Sequence, residues 1–331
     1  MKPREIHAAF EAEGGMFERG VPIINARVHR TSQGTPYLKD PGVVVIAMTT
    51  MHPHSLIGFL EGFDEGLQFY KYLDDEKSWR VVNVVTIEEK TEFVLDASYE
   101  SRTLPDTAQL VKLAGQLCYM SFGPDRTRNL DAVKYIHNLV ASGHGSVLEH
   151  PNVSILFYGV SRSLTHELVR HRAGFGYSQL SQRYVDGTRL RFVERPEYQS
   201  DPELHEGFEA EIHRQASLYE ETAQQLLARQ QQGEEVLSGE TQRDRRKKVN
   251  QAARSVLGNH TEAPIIATAN LRAWRHMLSM RAAEHAEVEI RLAAYRAFLC
   301  LAMLDPIVFG DFEIREYADG TKGVTTFYPK V

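Results

Sequence analysis

The chain has 331 residues, 42% hydrophobic and 25% charged, and its 38 Lys plus Arg against 44 Asp plus Glu leave a formal charge of −6. That length supports about two domains of roughly 150 residues each and a core that needs no stapling, which excludes a small disulfide or metal scaffold. The acidic balance gives nucleic acid or an anionic membrane no global attraction, and Cys118 and Cys300, without paired spacing, exclude zinc-ribbon and dithiol chemistry and fit reduced thiols in a cytoplasm.

The opening MKPREIHAAFEAEGG lacks an apolar signal region, and no window approaches the roughly 18 apolar residues that would cross a bilayer, so a cytoplasmic protein is expected. Residues 1–95 read as an α/β module, with strands predicted at Val21–Val28, Gly42–Met48 and Val81–Ile87 and a helix over Ser55–Tyr72. His52 and His54 flank Pro53 without a third ligand nearby and read as loop histidines. Helical spacing recurs over Thr107–Tyr119 and Leu130–Ser142, the latter stopping at Gly143. A strand is predicted at Pro151–Val160, then a helix over Arg162–Arg172 that Gly174 and Gly176 should end. Helices near Glu206–Gln231 and Thr241–Val256 follow, then one long helix from about Ala267 to Leu304, and the last 25 residues read as strand-rich. The RDRRKK run at 243–248 reads as a solvated helix face.

Three segments carry polar groups in patterns that ordinary helix surface does not need. On a helix, SRSLTHELVRHR sets Arg162, His166 and Arg170 four residues apart in one basic stripe, interrupted only by Glu167 and followed by Arg172 and Arg183. Arginine forks bind phosphate bidentately, so a nucleotide-phosphate cradle and a solvated basic face are both open. His166 and His171 resemble a zincin pair with one residue too many, and five residues on a helix turn them about 140° apart, which excludes zinc hydrolysis. Ser181 has no nucleophile elbow around it. GHGSVLEH offers His144, Ser146 and Glu149 in a glycine-bearing turn, and NLRAWRHMLSMR sets Arg272 and His276 four apart with Asn270 and Arg281 on a related face. That last group wants either an anionic partner or salt bridges to Glu284 or Glu289.

Together, GHGSVLEH at 143–150, RHR at 170–172, SQLSQRY at 178–184, Arg254 and NLRAWRHMLSMR at 270–281 resemble, in this order, the flavin-dependent thymidylate synthase family over roughly residues 107–305. The resemblance implies an α+β fold, a mixed and largely antiparallel sheet flanked by long helices, with a catalytic region over 96–305, an N-terminal extension at 1–95 and a tail at 306–331. It implies flavin contacts at Ser121, His144, Ser146, Glu149, Arg170, His171, Arg172, Asn270, Arg272 and His276. It implies nucleotide contacts at Arg162, Glu167, Arg170, Gln179, Ser181, Gln182, Arg183 and Arg254, and at Arg281, which would hold the uracil ring and act as the catalytic residue. The implied reaction methylates dUMP to dTMP with methylenetetrahydrofolate as carbon donor and NADPH-reduced FAD as hydride source, in a homotetramer whose sites are shared between subunits, with no metal. Both cysteines read as core, in keeping with a reaction that uses no cysteine nucleophile. One departure stands out: eight residues separate Arg172 from Ser181 where the family usually has seven, and a bulge at Gly174–Gly176 is expected to absorb the extra one. A related C5 transferase acting on UMP or leaving a hydroxymethyl group, and a flavin- or nucleotide-binding protein without catalysis, are the alternatives.

Overall fold

A computed structural model describes residues 3–63, 80–81, 102–122, 131–232 and 241–331. In chain order its elements are α1 (Pro3–Ala12), β1 (Gly15–Glu18), β2 (Val21–Ile24), β3 (Val28–Arg30), β4 (Pro36–Leu38), β5 (Gly42–Met48), α2 (Ile57–Leu60), β6 (Arg80–Val81), β7 (Arg102–Thr103), α3 (Asp106–Cys118) and α4 (Ala132–Ala141). There follow β8 (Asn152–Tyr158), α5 (Arg162–Leu168), β9 (Phe175–Gln179), β10 (Phe192–Val193), α6 (Pro202–Gln231), α7 (Gln242–Ala253), β11 (Ile265–Asn270), α8 (Leu271–Arg281), α9 (Val288–Leu304), β12 (Phe312–Glu316) and β13 (Lys322–Thr326).

Alternation builds the main sheet. Along β8 the side chains of Val153, Ile155 and Phe157 are buried, along β11 those of Ile265, Ala267 and Ala269. The two strands pair antiparallel with Ile155 opposite Ala267, so both apolar rows fall on one face. On the opposite face Ser154 and Thr268 sit across from each other with their hydroxyls 2.7 Å apart. The full strand order is β1-β2-β5-β8-β11-β9, every pair antiparallel, with one irregularity between Val45 and Ala47. Thus β1, β2 and β5 lie in the same sheet as the strands that carry the polar motifs. β10 and β4 pair parallel and β4 with β3 antiparallel in a second sheet, while β12 and β13 form a hairpin.

Helix α9 packs on β2 and β5 and against α1, α8 and β13. It is apolar nearly all round, the pattern of a helix enclosed by protein, and Tyr295, Phe298, Leu299 and Leu301 are wholly buried. Burying one such side chain contributes roughly 1.5–3 kcal/mol, which makes this helix the main anchor of the fold. Helix starts follow capping chemistry: the Asp131 side chain accepts from the Lys134 amide, Asp201 from Glu203 and Leu204, and Thr241 from Asp244.

Several sequence expectations are corrected. The long helix predicted from Ala267 is strand β11, helix α8, a turn and helix α9; the break falls at 282–287, where no proline or glycine marks it. The helix predicted over Arg162–Arg172 stops at Leu168. Gly176 does not break structure but lies inside β9. No bulge forms at Gly174–Gly176: Phe175–Gln179 pairs with Ile265–Ala269 in unbroken register. Cys300 is buried, but Cys118, expected in the core, is exposed at the end of α3. The helix predicted over Ser55–Tyr72 is described only to residue 63, with a short helical turn at Pro53–Leu56 before α2; beyond residue 81 the strand predicted at Val81–Ile87 lies outside the described residues. Among the described residues no helix is long and apolar enough to cross a membrane.

Candidate active site

The arginine-rich segment is positioned from below by a buried carboxylate. Glu289, on α9 and 2% exposed, accepts hydrogen bonds from the Ser161 amide and the Ser161 hydroxyl, both at 2.7 Å. Burial raises its carboxyl above the ordinary range, against the lowering effect of those two donors. The Ser161 oxygen in turn accepts from the Leu164 amide and caps α5. After Leu168 the chain leaves the helix, so Arg170, His171 and Arg172 lie in a turn, and the predicted stripe of Arg162, His166 and Arg170 is broken at its third member. The Tyr177 hydroxyl, 2.9 Å from the Leu168 carbonyl oxygen and 2.8 Å from that of His171, ties this turn to β9.

Arg281, at the end of α8, meets this turn. Its Nε donates to His171 Nε2 at 2.9 Å, its Nη1 to Glu167 Oε2 at 2.7 Å and its Nη2 to the Glu167 carbonyl at 3.3 Å. Three of five guanidinium N–H donors are engaged in these bonds, which fixes the fork and leaves two for a ligand. Since Nε2 accepts, His171 is the neutral imidazole with its proton on Nδ1. Burial pushes its pKa down to about 4, helped by the positive charge of Arg281 and by His276. An NMR titration should therefore find His171 neutral down to about pH 4 and Arg281→Ala should move its midpoint upward. The sign for stability follows: the unfolded chain takes up this proton near pH 6.5 and the folded chain only near 4, so this residue's contribution is intact above 6.5 and lost as pH falls through 4. An unshifted midpoint in both proteins would remove the Arg281–His171 bond as the organising contact.

The other polar segments converge at the opposite part of α8. Asn270 caps the helix, its Oδ1 accepting from the Ala273 amide at 2.8 Å. Arg272 Nη1 donates to Glu149 Oε1 at 2.5 Å, joining α8 to the turn Gly145–Glu149 that carries His144 and Ser146, both exposed. A Cβ at Gly145 would stand 2.8 Å from Arg272 Nε, so a side chain there would push the Arg272 guanidinium aside. Gly174 is in the left-handed region at φ +75°, and its Cβ would meet Asn270 Nδ2 at 2.7 Å. A cleft of about 380 Å³ opens between these parts, lined by Glu149, Ala173, Gly174, Asn270, Arg272, Ala273, His276, Pro329, Lys330 and Val331. Basic groups and amides above small apolar side chains fit a flat aromatic cofactor bearing phosphates. The rings of His171 and His276 lie 5.8 Å apart at 67°, linking the cleft to Arg281.

The positions matched to the nucleotide are less closely assembled. Gln179 Nε2 donates to Thr165 Oγ1 at 3.0 Å, beside Arg162. Arg183 Nε donates to Gln251 Oε1 at 3.1 Å, one helical turn before Arg254, and the Ser181 hydroxyl accepts from the Arg183 amide at 3.3 Å. Gln182 is buried, and its Nε2 has no partner among the described residues. Among the described residues no carboxylate lies within ion-pair distance of Arg162, Arg170, Arg172 or Arg254. Cations left unpaired in a chain of net charge −6 are suited to an anionic ligand. Ser121 is not among the residues lining the cleft; it is buried, with its hydroxyl 3.4 Å from the Gln116 carbonyl oxygen.

Of the two alternatives for this group, salt bridges to Glu284 or Glu289 are not formed by Arg272 or Arg281: Arg272 pairs with Glu149 and Arg281 with Glu167. Sequence reasoning missed the roles of Glu289 and Arg275, whose partners lie 128 and 33 to 56 residues away along the chain, and that of Tyr177, whose partners lie only nine and six residues back but on the far side of a turn. Of these only Arg275 had a local signal, a charge facing the apolar side of α8.

The family model of the thymidylate synthase complementing protein matches residues 101–307. The flavin-dependent thymidylate synthase of Mycolicibacterium gilvum is 44% identical over 239 residues, covering 72% of this chain and 92% of its own length. That of Mycobacterium leprae is 42% identical over 238 residues, with the same shares. Among solved structures, a UMP/dUMP methylase from Streptomyces cacaoi bound with 5-Br UMP overlays with a TM-score of 0.43 at 24% identity, covering 61% of this chain and 87% of that one. By the extent of the family match and the identity to these relatives, the chain belongs to the thymidylate synthase complementing protein family.

Proposed function

We propose that this chain is a flavin-dependent thymidylate synthase, converting dUMP to dTMP with methylenetetrahydrofolate as carbon donor, FAD as cofactor and NADPH as reductant. The observation that carries the reading is the Arg281 fork, clasped by His171 and Glu167 beside a basic cleft. Methyl transfer to C5 of a uracil needs negative charge stabilised on the ring and a hydride to reduce the one-carbon bridge. Two unengaged N–H groups of a prealigned guanidinium can face the ring and stabilise that charge without reorganising. Neutral His171 serves as the acceptor that holds Arg281 rather than as a competing cation. Arg272, His276 and Asn270 would hold the flavin, with His144, Ser146, Arg170 and Arg172 at the rim, and the flavin would supply the hydride when bound. Arg162, Gln179, Ser181, Gln182, Arg183 and Arg254 would bind the nucleotide, with its phosphate on the unpaired arginines.

No thiol is required by this scheme. Cys300 is buried in α9 and burial raises its pKa, so it is a core residue and not a nucleophile; Cys118 is exposed and does not line the cleft. Replacing Cys118 by Ser and Cys300 by Ala together should leave turnover within about threefold of the parent, with Cys300→Ala costing about 1 kcal/mol of stability. The deciding experiment is a turnover assay of FAD-loaded protein with dUMP and, separately, UMP, in the presence of methylenetetrahydrofolate and NADPH. Formation of dTMP is expected. Preference for UMP would favour the related C5 transferase, uptake of flavin without product the binding protein, and a folded but dead double cysteine variant would end the cysteine-free scheme. The family resemblance also supports a cytoplasmic homotetramer with shared sites, which sedimentation can test.

A further inference from the structure

The matched family region ends at residue 307, yet Pro329, Lys330 and Val331 form one wall of the cleft that holds Arg272 and His276. This wall is built into the fold rather than laid over it. Arg275, one residue before His276 and 1% exposed, donates from Nε to the Val331 backbone oxygen at 3.1 Å and from Nη1 to the Val308 carbonyl at 2.6 Å. It also grips Asp311 with both terminal nitrogens, at 2.6 and 2.8 Å, and Asp311 accepts from the Thr326 hydroxyl at 2.5 Å. The Thr326 hydroxyl accepts in turn from the Tyr328 amide, and the Val331 amide donates to the Tyr328 carbonyl. The same helix therefore directs Arg272 and His276 to the cleft and Arg275 to the segment that closes it. Lys330 is exposed, and among the described residues no carboxylate lies within ion-pair distance of it. Arg272 is partly neutralised by Glu149, so Lys330 is the cleft's one permanent cation without a carboxylate among the lining residues.

We propose that Lys330, presented by the segment beyond the matched family region, is a phosphate-binding residue of this cleft. The inference rests on the cleft's assignment to the flavin, and it adds a ligand contact from residues to which the family match assigns nothing. Two phosphate sources share that chemistry, the diphosphate of FAD and the phosphates of the NADPH reductant.

Titration of the flavin-stripped full chain with FAD, followed by quenching of flavin fluorescence, tests it alongside riboflavin, which has no phosphate. Lys330→Glu should raise the Kd for FAD about tenfold and Lys330→Ala about threefold, Lys330→Arg should stay within about twofold, and riboflavin binding should not change. The penalty should shrink at about 0.5 M salt, where charges at the surface are screened. If FAD binding is unaltered but KM for NADPH rises about as much, the phosphate bound is the reductant's, and the proposal stands with that source. Lys330→Glu leaving FAD affinity and the KM for NADPH within twofold would overturn the proposal while the flavin assignment survived. Equal loss of riboflavin would also overturn it, by showing a displaced wall and not a phosphate contact. Parent protein that takes up no FAD would fail one step earlier, at the flavin assignment.

Discussion

Arg281→Ala is expected to lower turnover with dUMP by about 10²–10³-fold, the loss typical of removing one prealigned donor from a site of developing negative charge. The protein should remain folded, because the Arg281 side chain is 22% exposed at a helix end and its ion pair with Glu167, itself 37% exposed, contributes no more than about 1 kcal/mol. Arg281→Lys should recover only part of the rate, since an ammonium lacks the planar fork that bonds His171 and Glu167 together. Steady-state kinetics on both variants, with urea unfolding as the control for folding, is the measurement. An alanine variant within threefold of the parent would place charge stabilisation on another group.

How much of this arrangement was legible beforehand differs by element. The starts read at Leu130 and Thr241 fall within two residues of α4 and α7, whereas the start read near Glu206 passed over the Asp201 cap and Pro202, four residues earlier, although capping is a contact between neighbours in sequence. The motifs GHGSVLEH, RHR and NLRAWRHMLSMR were legible as polar groups out of place, and the structure brings Glu149 to Arg272 and His171 to Arg281. The strand Ile265–Asn270 was not, since an apolar run read without its sheet partners passes for the first turns of the helix after it. The end of α5 at Leu168 was hidden for a similar reason: Tyr177 holds the departing turn from the neighbouring strand, and residues 162–172 contain nothing that breaks a helix. Cys118 sits in an apolar stretch but on the outer side at the end of α3, a matter of helical phase that the local composition does not convey.

The largest effect on stability is expected at Arg275. Arg275→Met removes the cation from a buried pair whose side chains are 1% and 9% exposed, leaving Asp311 with an uncompensated charge and the Val308 and Val331 oxygens without a donor. Breaking a buried pair on one side costs about 3–5 kcal/mol. Arg275 also lies 4.9 Å from the Phe312 ring centroid, a packing contact that methionine partly replaces. Urea unfolding should show a lowered midpoint with little change in slope. Combining Arg275→Met with Asp311→Leu should regain much of the loss, because removing both charges also removes the desolvation problem. If the double variant is as unstable as the single one, the cost lies in the tail's lost backbone contacts and not in the stranded carboxylate.

Helix α8 spans Leu271–Arg281, eleven residues, which at 1.5 Å per residue is about 16 Å. Each residue of an α-helix also turns the chain by about 100°. Adding or deleting one residue within this span would swing Arg281 a quarter turn or more away from His171 and Glu167 while Asn270 and Arg272 stayed with the cleft. Either the far end would lose its clasp or β11 would slip one place against β8, reversing which of its side chains face the core. Changes of length in this part of the chain can therefore be accommodated only in the turn at 282–287, downstream of both functions that the helix connects.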